Sequence, residues 1–186
     1  MNLRLIGCNF RTAPLDLRER LAFDDAKHAR AVTELAARFG CEVVLLSTCN
    51  RVELLVARGA GERPFDLGLA AEFLGEVHRV PAASVAPLLY EHEGAAAVRH
   101  LFRVTASLDS LVVGEGQIAG QVKQAFEAAR NGGATGPLLN ACSRTLCAPP
   151  SGCERRPASV RVTSASPVSP SIMCGRCSTI SPTRPC

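Results

Sequence analysis

Apolar residues along this chain alternate with polar ones over short runs and recur at three- and four-residue steps over longer ones. The two periods divide it into strands and helices. Leu3, Leu5 and Gly7 alternate with Arg4, Ile6 and Cys8, a first strand with apolar content on both faces. Pro14 opens a short helix from Leu15 to Leu21, since a proline costs nothing in the first turn. Asp24 then caps a longer helix with Ala29, Val32, Leu35, Ala36 and Phe39 inward, and Gly40 stops it. The β-branched runs Cys41 to Leu46 and Val52 to Val56 read as two further strands. Asp66 caps a helix that buries Ala70, Phe73, Leu74 and Val77; Leu88 to Tyr90 reads as a strand. Gly94 leads into a helix carrying Val98, Leu101, Phe102 and Thr105, and a last helix turns Ile118, Val122, Ala125, Phe126 and Ala129 inward. The expected fold is α+β: a small, largely antiparallel sheet covered by helices.

Composition changes this picture only at the far end. Residues 141–186 hold six cysteines, seven prolines and nine serines with no amphipathic period, so residues 1–140 are expected to form the domain and 141–186 a low-complexity, disordered tail. The formal charge of +4 is as lopsided: six arginines against Glu154 give +5 after residue 140 and leave −1 before it. Net charge therefore marks no nucleic-acid face on the folded part. Of nine cysteines only Cys8, Cys41 and Cys49 precede residue 141, which is not the spread of a secreted disulfide framework. Cys174 and Cys177 make half a zinc site without its matching pair, and no metal is expected. No apolar run approaches the ~20 residues of a membrane span. Arg4, Arg11 and Arg18 interrupt any leader-like core, so a cytoplasmic location is expected.

Candidate chemistry gathers in Leu46-Ser47-Thr48-Cys49-Asn50-Arg51-Val52-Glu53-Leu54, the break between two strands. A lone cysteine among hydrophobes is most often an inert core side chain. Here it sits between strands, where side chains are exposed on a rigid support. Arg51 two residues on favours a thiolate, the nucleophilic form. Thr48 and Asn50 add a hydroxyl and an amide able to hold a carbonyl or carboxylate.

These nine residues resemble the nucleophile motif of the glutamyl-tRNA reductase family. A second block, Ser107-Leu108-Asp109-Ser110-Leu111-Val112-Val113-Gly114-Glu115-Gly116-Gln117-Ile118-Ala119-Gly120-Gln121-Val122-Lys123, is similar to that family's other signature stretch. A histidine-bearing helix, Arg99 to Val104, precedes it in the same order. The resemblance implies a cytoplasmic oxidoreductase that opens tetrapyrrole synthesis. Cys49 attacks the ester of glutamyl-tRNA, tRNA leaves, and NADPH reduces the thioester to glutamate-1-semialdehyde. It implies His100 at the active site, reversing the ordinary preference for a merely structural helix histidine. It also implies that Ser110, Glu115, Gly116, Gln117 and Gln121 line the glutamyl pocket, and Arg51 is the candidate partner of the substrate carboxylate. His92, between Glu91 and Glu93, reads as a solvated histidine in a polar turn.

The glycine-rich stretch is not a dinucleotide fingerprint, because no βαβ unit surrounds it and no acidic residue follows in a second strand. The family continues through a long helix, a nicotinamide-binding domain and a helical domain that makes homodimers; none of these is expected in this chain. A one-base shift over residues 147–155 of a GC-rich gene permits a basic, helix-forming run like the family's, so the tail reads as an out-of-frame product, with a natural disordered tail as the alternative. Two rival functions stay beside the enzyme: a non-catalytic module that binds tRNA or another partner, and an inactive fragment.

Overall fold

The structure is a computed structural model that describes residues 2–111 and 116–147. Strands β1 (Asn2–Asn9), β2 (Glu42–Ser47), β3 (Arg51–Arg58) and β4 (Tyr90–Glu93) form one sheet in the order β2-β3-β1-β4, every neighbouring pair antiparallel. Helices α1 (Leu15–Arg20) and α2 (Asp25–Phe39) lie between β1 and β2 in sequence, and α3 (Leu67–His78) and α4 (Ala82–Val85) between β3 and β4. Three more follow the sheet: α5 (Gly94–Thr105), α6 (Gln117–Asn131) and α7 (Pro137–Cys147). The chain is thus α+β with an antiparallel sheet, as its patterning predicts.

The helix ends are set by local chemistry. Asp24 accepts from the Lys27 N–H, Asp66 accepts from the Leu69 N–H, and Gly40 takes the left-handed conformation that closes α2. The five residues expected inward on α6, Ile118, Val122, Ala125, Phe126 and Ala129, are all buried. They pack on the sheet face that carries Leu5, Leu46, Glu53 and Leu55, together with α5. The opposite face, with Ile6, Cys8, Val43, Leu45 and Leu54, is equally buried.

Gly7 shapes the centre of this sheet. It pairs with Glu53 on one side and Tyr90 on the other. A Cβ there would lie 2.3 Å from the Val52 carbonyl oxygen, 2.7 Å from Glu53 Cα and 2.8 Å from Glu53 Cγ. Only glycine leaves room for the glutamate side chain between the strands.

Three expectations change. The last strand is Tyr90–Glu93, with Ala86–Leu88 a single 3-10 turn before it. Apolar Leu88 and Leu89 suggest a strand there, but Pro87 favours the turn and backbone pairing with β1 falls on the polar residues after it. On α5 the buried stripe is Ala97, Leu101 and Val104, and Phe102 is exposed, because the small Ala97 lies at the contact and turns the stripe by one position. Finally, α7 runs through residue 140 to Cys147, with Leu139 and Ser143 buried and Leu138, Cys142 and Leu146 packed against the core. Composition hid this period. Glu42 on β2 accepts from the Leu138 and Leu139 N–H groups and so caps the helix from a distance. The expected tail from residue 148 onward lies outside the described residues.

Candidate active site

The Thr48-Cys49-Asn50 loop between β2 and β3 is tied to its own backbone. The Thr48 N–H donates to the Arg51 carbonyl at 2.9 Å, and Thr48 Oγ1 accepts from the Asn50 and Arg51 N–H groups at 3.2 Å each. Such hydroxyl-to-backbone bonds fix a tight turn. Cys49 is exposed on it. Arg18 of α1 holds the loop from outside: Nε donates to the Ala13 carbonyl at 3.1 Å and Nη1 to the Cys49 carbonyl at 2.6 Å, with Asn50 Oδ1 3.4 Å away.

Beside this loop lies a small cleft. Thr48, Cys49, Asn50 and Arg51 form one wall; Ser110 and the Gln117, Ile118 and Gln121 face of α6 form the other. Seven residues singled out from the sequence therefore line one cavity although up to 73 positions separate them. At about 50 Å³ it has room for a few water-sized groups. Gly116 adjoins it as the residue before α6. Glu115, expected in this pocket, lies outside the described residues.

Behind the cleft is a buried ionic cluster. Arg51 Nη1 donates to Glu53 Oε1 at 2.8 Å, and Nη2 donates to the Asp109 carbonyl. Both nitrogens stand 3.5 Å from Asp109 Oδ2, and Arg11 Nη1 bonds Asp109 Oδ1. Glu53 Oε1 also accepts from the Tyr90 hydroxyl and faces His100 Nε2 at 2.8 Å. A carboxylate only accepts, so that ring nitrogen carries the proton. The His92 ring lies 4.6 Å from that of His100 and 5.5 Å from that of Tyr90. Asp109 reaches Arg51 because α5 ends in a Schellman turn: Ser107 adopts φ 59°, and the Ser107 and Leu108 N–H groups donate to the Val104 and Arg103 carbonyls.

Charge in the cluster is balanced by proximity. Burial by itself raises the pKa of Glu53, but the His100 hydrogen bond and the Arg51 charge outweigh it and hold the carboxyl below its ordinary range. Asp109 is lowered in the same way, burial opposing it and Arg11 and Arg51 prevailing. Burial, with Glu53 alongside, pushes the Tyr90 phenol up. Desolvation, then the His100 charge, lowers His92. Burial pushes the Cys8 and Cys41 thiols up to about 11, leaving them protonated at neutral pH.

The structure thus redistributes several roles. Arg51 lines the cleft, yet its side chain is 2% exposed and its fork already meets two internal carboxylates. It is not an open cation beside the thiol. His100 is brought to Glu53 and is not in the cleft lining. His92 is a β4 residue packed on two aromatic rings and not a solvated turn histidine, because the strand extends through it. Sequence reasoning gave no role to Arg11, Arg18, Tyr90 or Asp109. Glu53, a polar residue inside an otherwise apolar strand, is the sequence signal of the cluster that went unread.

Fold and cleft together define an α+β domain that presents one exposed thiol among hydroxyls and carboxamides. The family model for the N-terminal domain of glutamyl-tRNA(Glu) reductase matches residues 6–148, and the chain belongs to that family. A glutamyl-tRNA reductase of Syntrophotalea carbinolica is 43% identical over 143 residues, 75% of this chain and 31% of the relative. That of Shewanella sp. strain MR-7 is 47% identical over 134 residues, 72% of this chain and 31% of the relative. Among solved structures, the glutamyl-tRNA reductase from Methanopyrus kandleri superposes with a TM-score of 0.61 at 32% identity, over 77% of this chain and 32% of that one. The chain spans about a third of the length of the relatives it matches.

All strand pairs among the described residues are antiparallel, so no parallel βαβ unit of the kind that holds a dinucleotide occurs among them. No described helix is long and apolar enough to cross a membrane.

Proposed function

We propose that this chain carries out the acyl-transfer half of glutamyl-tRNA reduction, the entry step of tetrapyrrole synthesis, in the cytoplasm. The observation that carries the proposal is the convergence of Thr48, Asn50, Ser110, Gln117 and Gln121 on the cleft of the exposed Cys49. The Cys49 thiolate attacks the ester carbonyl; a C–S bond forms, the bond to the ribose oxygen breaks, and tRNA departs with a proton taken from water. The Thr48 hydroxyl accepts two backbone bonds and keeps its own proton for the substrate. Carboxamides at positions 50, 117 and 121 supply both donors and acceptors to the glutamyl group.

Arg51 recognises the substrate carboxylate by exchange. Its 3.5 Å contacts to Asp109 Oδ2 are at the limit of a hydrogen bond, and these are what an incoming carboxylate replaces. Glu53, supported by His100 and Tyr90, holds the guanidinium meanwhile. His100 is then a positioning residue. Hydride delivery from NADPH, and the homodimer, belong to the rest of the full-length family protein.

The test is intact-mass spectrometry after mixing the chain with glutamyl-tRNA. One glutamyl adduct, located on the Cys49 peptide, labile to hydroxylamine and missing in Cys49→Ser, is expected. A folded protein that binds the tRNA without any adduct would instead make the chain a non-covalent binding module.

A further inference from the structure

A second cavity, of about 210 Å³, opens beside the thiol cleft between the start of α2, the end of β2 and α6. The two adjoin at two points. Gln121 lines both, and Ser47 in the wall of one precedes Thr48 in the wall of the other. Gln117, Gln121 and Gln124 fall at i, i+4 and i+7 on α6, so a row of carboxamides runs from the thiol into the second cavity.

The lining states what fits there. It contains no lysine or arginine and includes Asp25, so it is not built for phosphate. It offers Phe23, whose half-buried ring is a platform for a base, and the Gln124 amide, whose paired donor and acceptor match the N6/N7 edge of adenine. Asp25 can accept from a ribose hydroxyl. The walls are preset: the Phe23 N–H donates to Ser47 Oγ at 3.2 Å, the His78 ring meets the Phe23 ring edge-on at 4.4 Å, and His28 Nε2 lies 2.7 Å from the Leu45 carbonyl. The volume is below the ~300–1,000 Å³ of larger ligand pockets and suits one nucleoside.

An ester at Cys49 has an acyl group on one side and its leaving group on the other. With the glutamyl side among Thr48, Asn50, Ser110 and Gln117, the ribose side faces the adjoining cavity. We propose that this cavity binds the 3′-terminal adenosine of the aminoacyl-tRNA, so that the ester lies across Cys49. The assignment rests on the acyl-transfer reading above. It makes recognition of the leaving nucleoside a matter of stacking and carboxamides, with backbone phosphates left to contacts elsewhere.

Titration of the 15N-labelled 186-residue chain with AMP, CMP, the trinucleotide CpCpA and adenosine 2′,5′-bisphosphate tests it by NMR. AMP and CpCpA should saturably shift the Phe23 and Ser47 amides and the Gln124 side-chain NH₂, CMP should need about tenfold more, and Gln124→Ala should weaken AMP by about tenfold. Gln124 is solvent-exposed, and the same spectrum reports whether the variant folds. Should that variant misfold, Gln124→Glu, which keeps the length and replaces the donor with a charge, should show the same loss. Shifts confined to other residues, equal responses to AMP and CMP, or AMP binding that both variants keep would overturn the assignment. Tighter binding of the bisphosphate than of CpCpA would overturn it too, because it would mark the adenine end of a dinucleotide as the ligand. The adduct on Cys49 is scored separately: an adduct without AMP binding removes the adenosine site and leaves the acyl transfer, whereas AMP binding at the cavity without an adduct does the reverse.

Discussion

Arg51 and Glu53, two residues apart on the same face of β3, join Nη1 to Oε1 at 2.8 Å with each side chain 2% exposed. Two charges so placed attract strongly but have lost their hydration, so the pair is weak evidence for stability and strong evidence of a constraint. Glu53 Oε1 meets a guanidinium, a phenol and an imidazole at once. Glu53 Oε2 has no partner among the described residues.

Removing the carboxylate should leave Arg51 buried with only part of its compensation. Glu53→Ala is expected to lower stability by roughly 3–5 kcal/mol, the usual cost of breaking a buried pair from one side. Urea unfolding followed by circular dichroism measures it, and a midpoint within error of the parent would show that solvent or Asp109 replaces Glu53 without loss.

The same groups set an acid limit. The folded pKa values of Glu53 and Asp109 lie below their ordinary 4.5 and 3.8, so their stabilisation is complete above those values and disappears as pH falls through the lower folded ones. His78 acts earlier in the same direction. Burial and the Lys27 charge lower it from 6.5 to about 4, so protonation of the unfolded chain costs stability from about pH 6.5 downward. The urea midpoint should therefore fall gently from pH 7 to about 4.5 and steeply below, and Glu53→Gln should flatten the steep limb. A midpoint constant from about pH 7 to 4.5 would contradict the His78 assignment, and one that does not steepen below about pH 4 would contradict that of Glu53 and Asp109.

Gly7→Ala probes the sheet where the cluster is seated. Its Cβ meets backbone atoms at 2.3 and 2.7 Å, and backbone cannot rotate away as a flexible side-chain end can. Overpacking of this kind costs about 1–3 kcal/mol. The variant should also separate Glu53 from Tyr90, seen as a changed tyrosine near-ultraviolet signal at Tyr90, the only tyrosine in the chain. An unchanged signal and midpoint would mean that β1 shifts without disturbing β3.

Much of this was readable in the sequence because it is local. Asp24, Asp66 and Gly40 announce helix ends through chemistry completed within four residues, and the α6 stripe repeats with the helical period. The thiol loop is framed by two β-branched strands. The features that escaped are either non-periodic or distant. β4 is polar because its backbone pairing, and not an apolar pattern, makes it a strand; the period of α7 was masked by the proline- and serine-rich composition of residues 148–186; and Arg51 meets Asp109 across 58 residues through the turn at Ser107. An arginine reads the same in sequence whether its fork is empty or filled.

Among the four described cysteines, reactivity should single out Cys49. Iodoacetamide followed by peptide mapping at pH 7.5 should label it well before Cys8 and Cys41, whose thiols burial keeps protonated, and before Cys142, which burial also raises. Cys49→Ser should keep the fold, since the side chain is exposed on its loop. Equal labelling at all four positions, or a Cys49→Ser protein that does not fold, would make Cys49 an ordinary structural residue.

Supplied with glutamyl-tRNA and NADPH, the 186-residue chain alone should release free glutamate and make little glutamate-1-semialdehyde. The thioester requires only the cleft of Cys49. Its reduction requires a hydride donor held against the carbonyl, and positioning of that kind accounts for roughly 7–11 kcal/mol of a barrier. The described strand pairs are all antiparallel and include no βαβ unit of the kind that holds a dinucleotide. An acyl group left on an exposed sulfur is open to water, which returns the thiol and liberates glutamate. Cys49→Ser should abolish that release above the background rate of ester hydrolysis, and Arg51→Lys should reduce it by about tenfold or more, because a lysine keeps the charge but not the planar fork. Quantifying both products in one reaction, with and without NADPH, decides the matter: NADPH-dependent semialdehyde appearing as fast as glutamate would show that these residues hold the hydride donor after all.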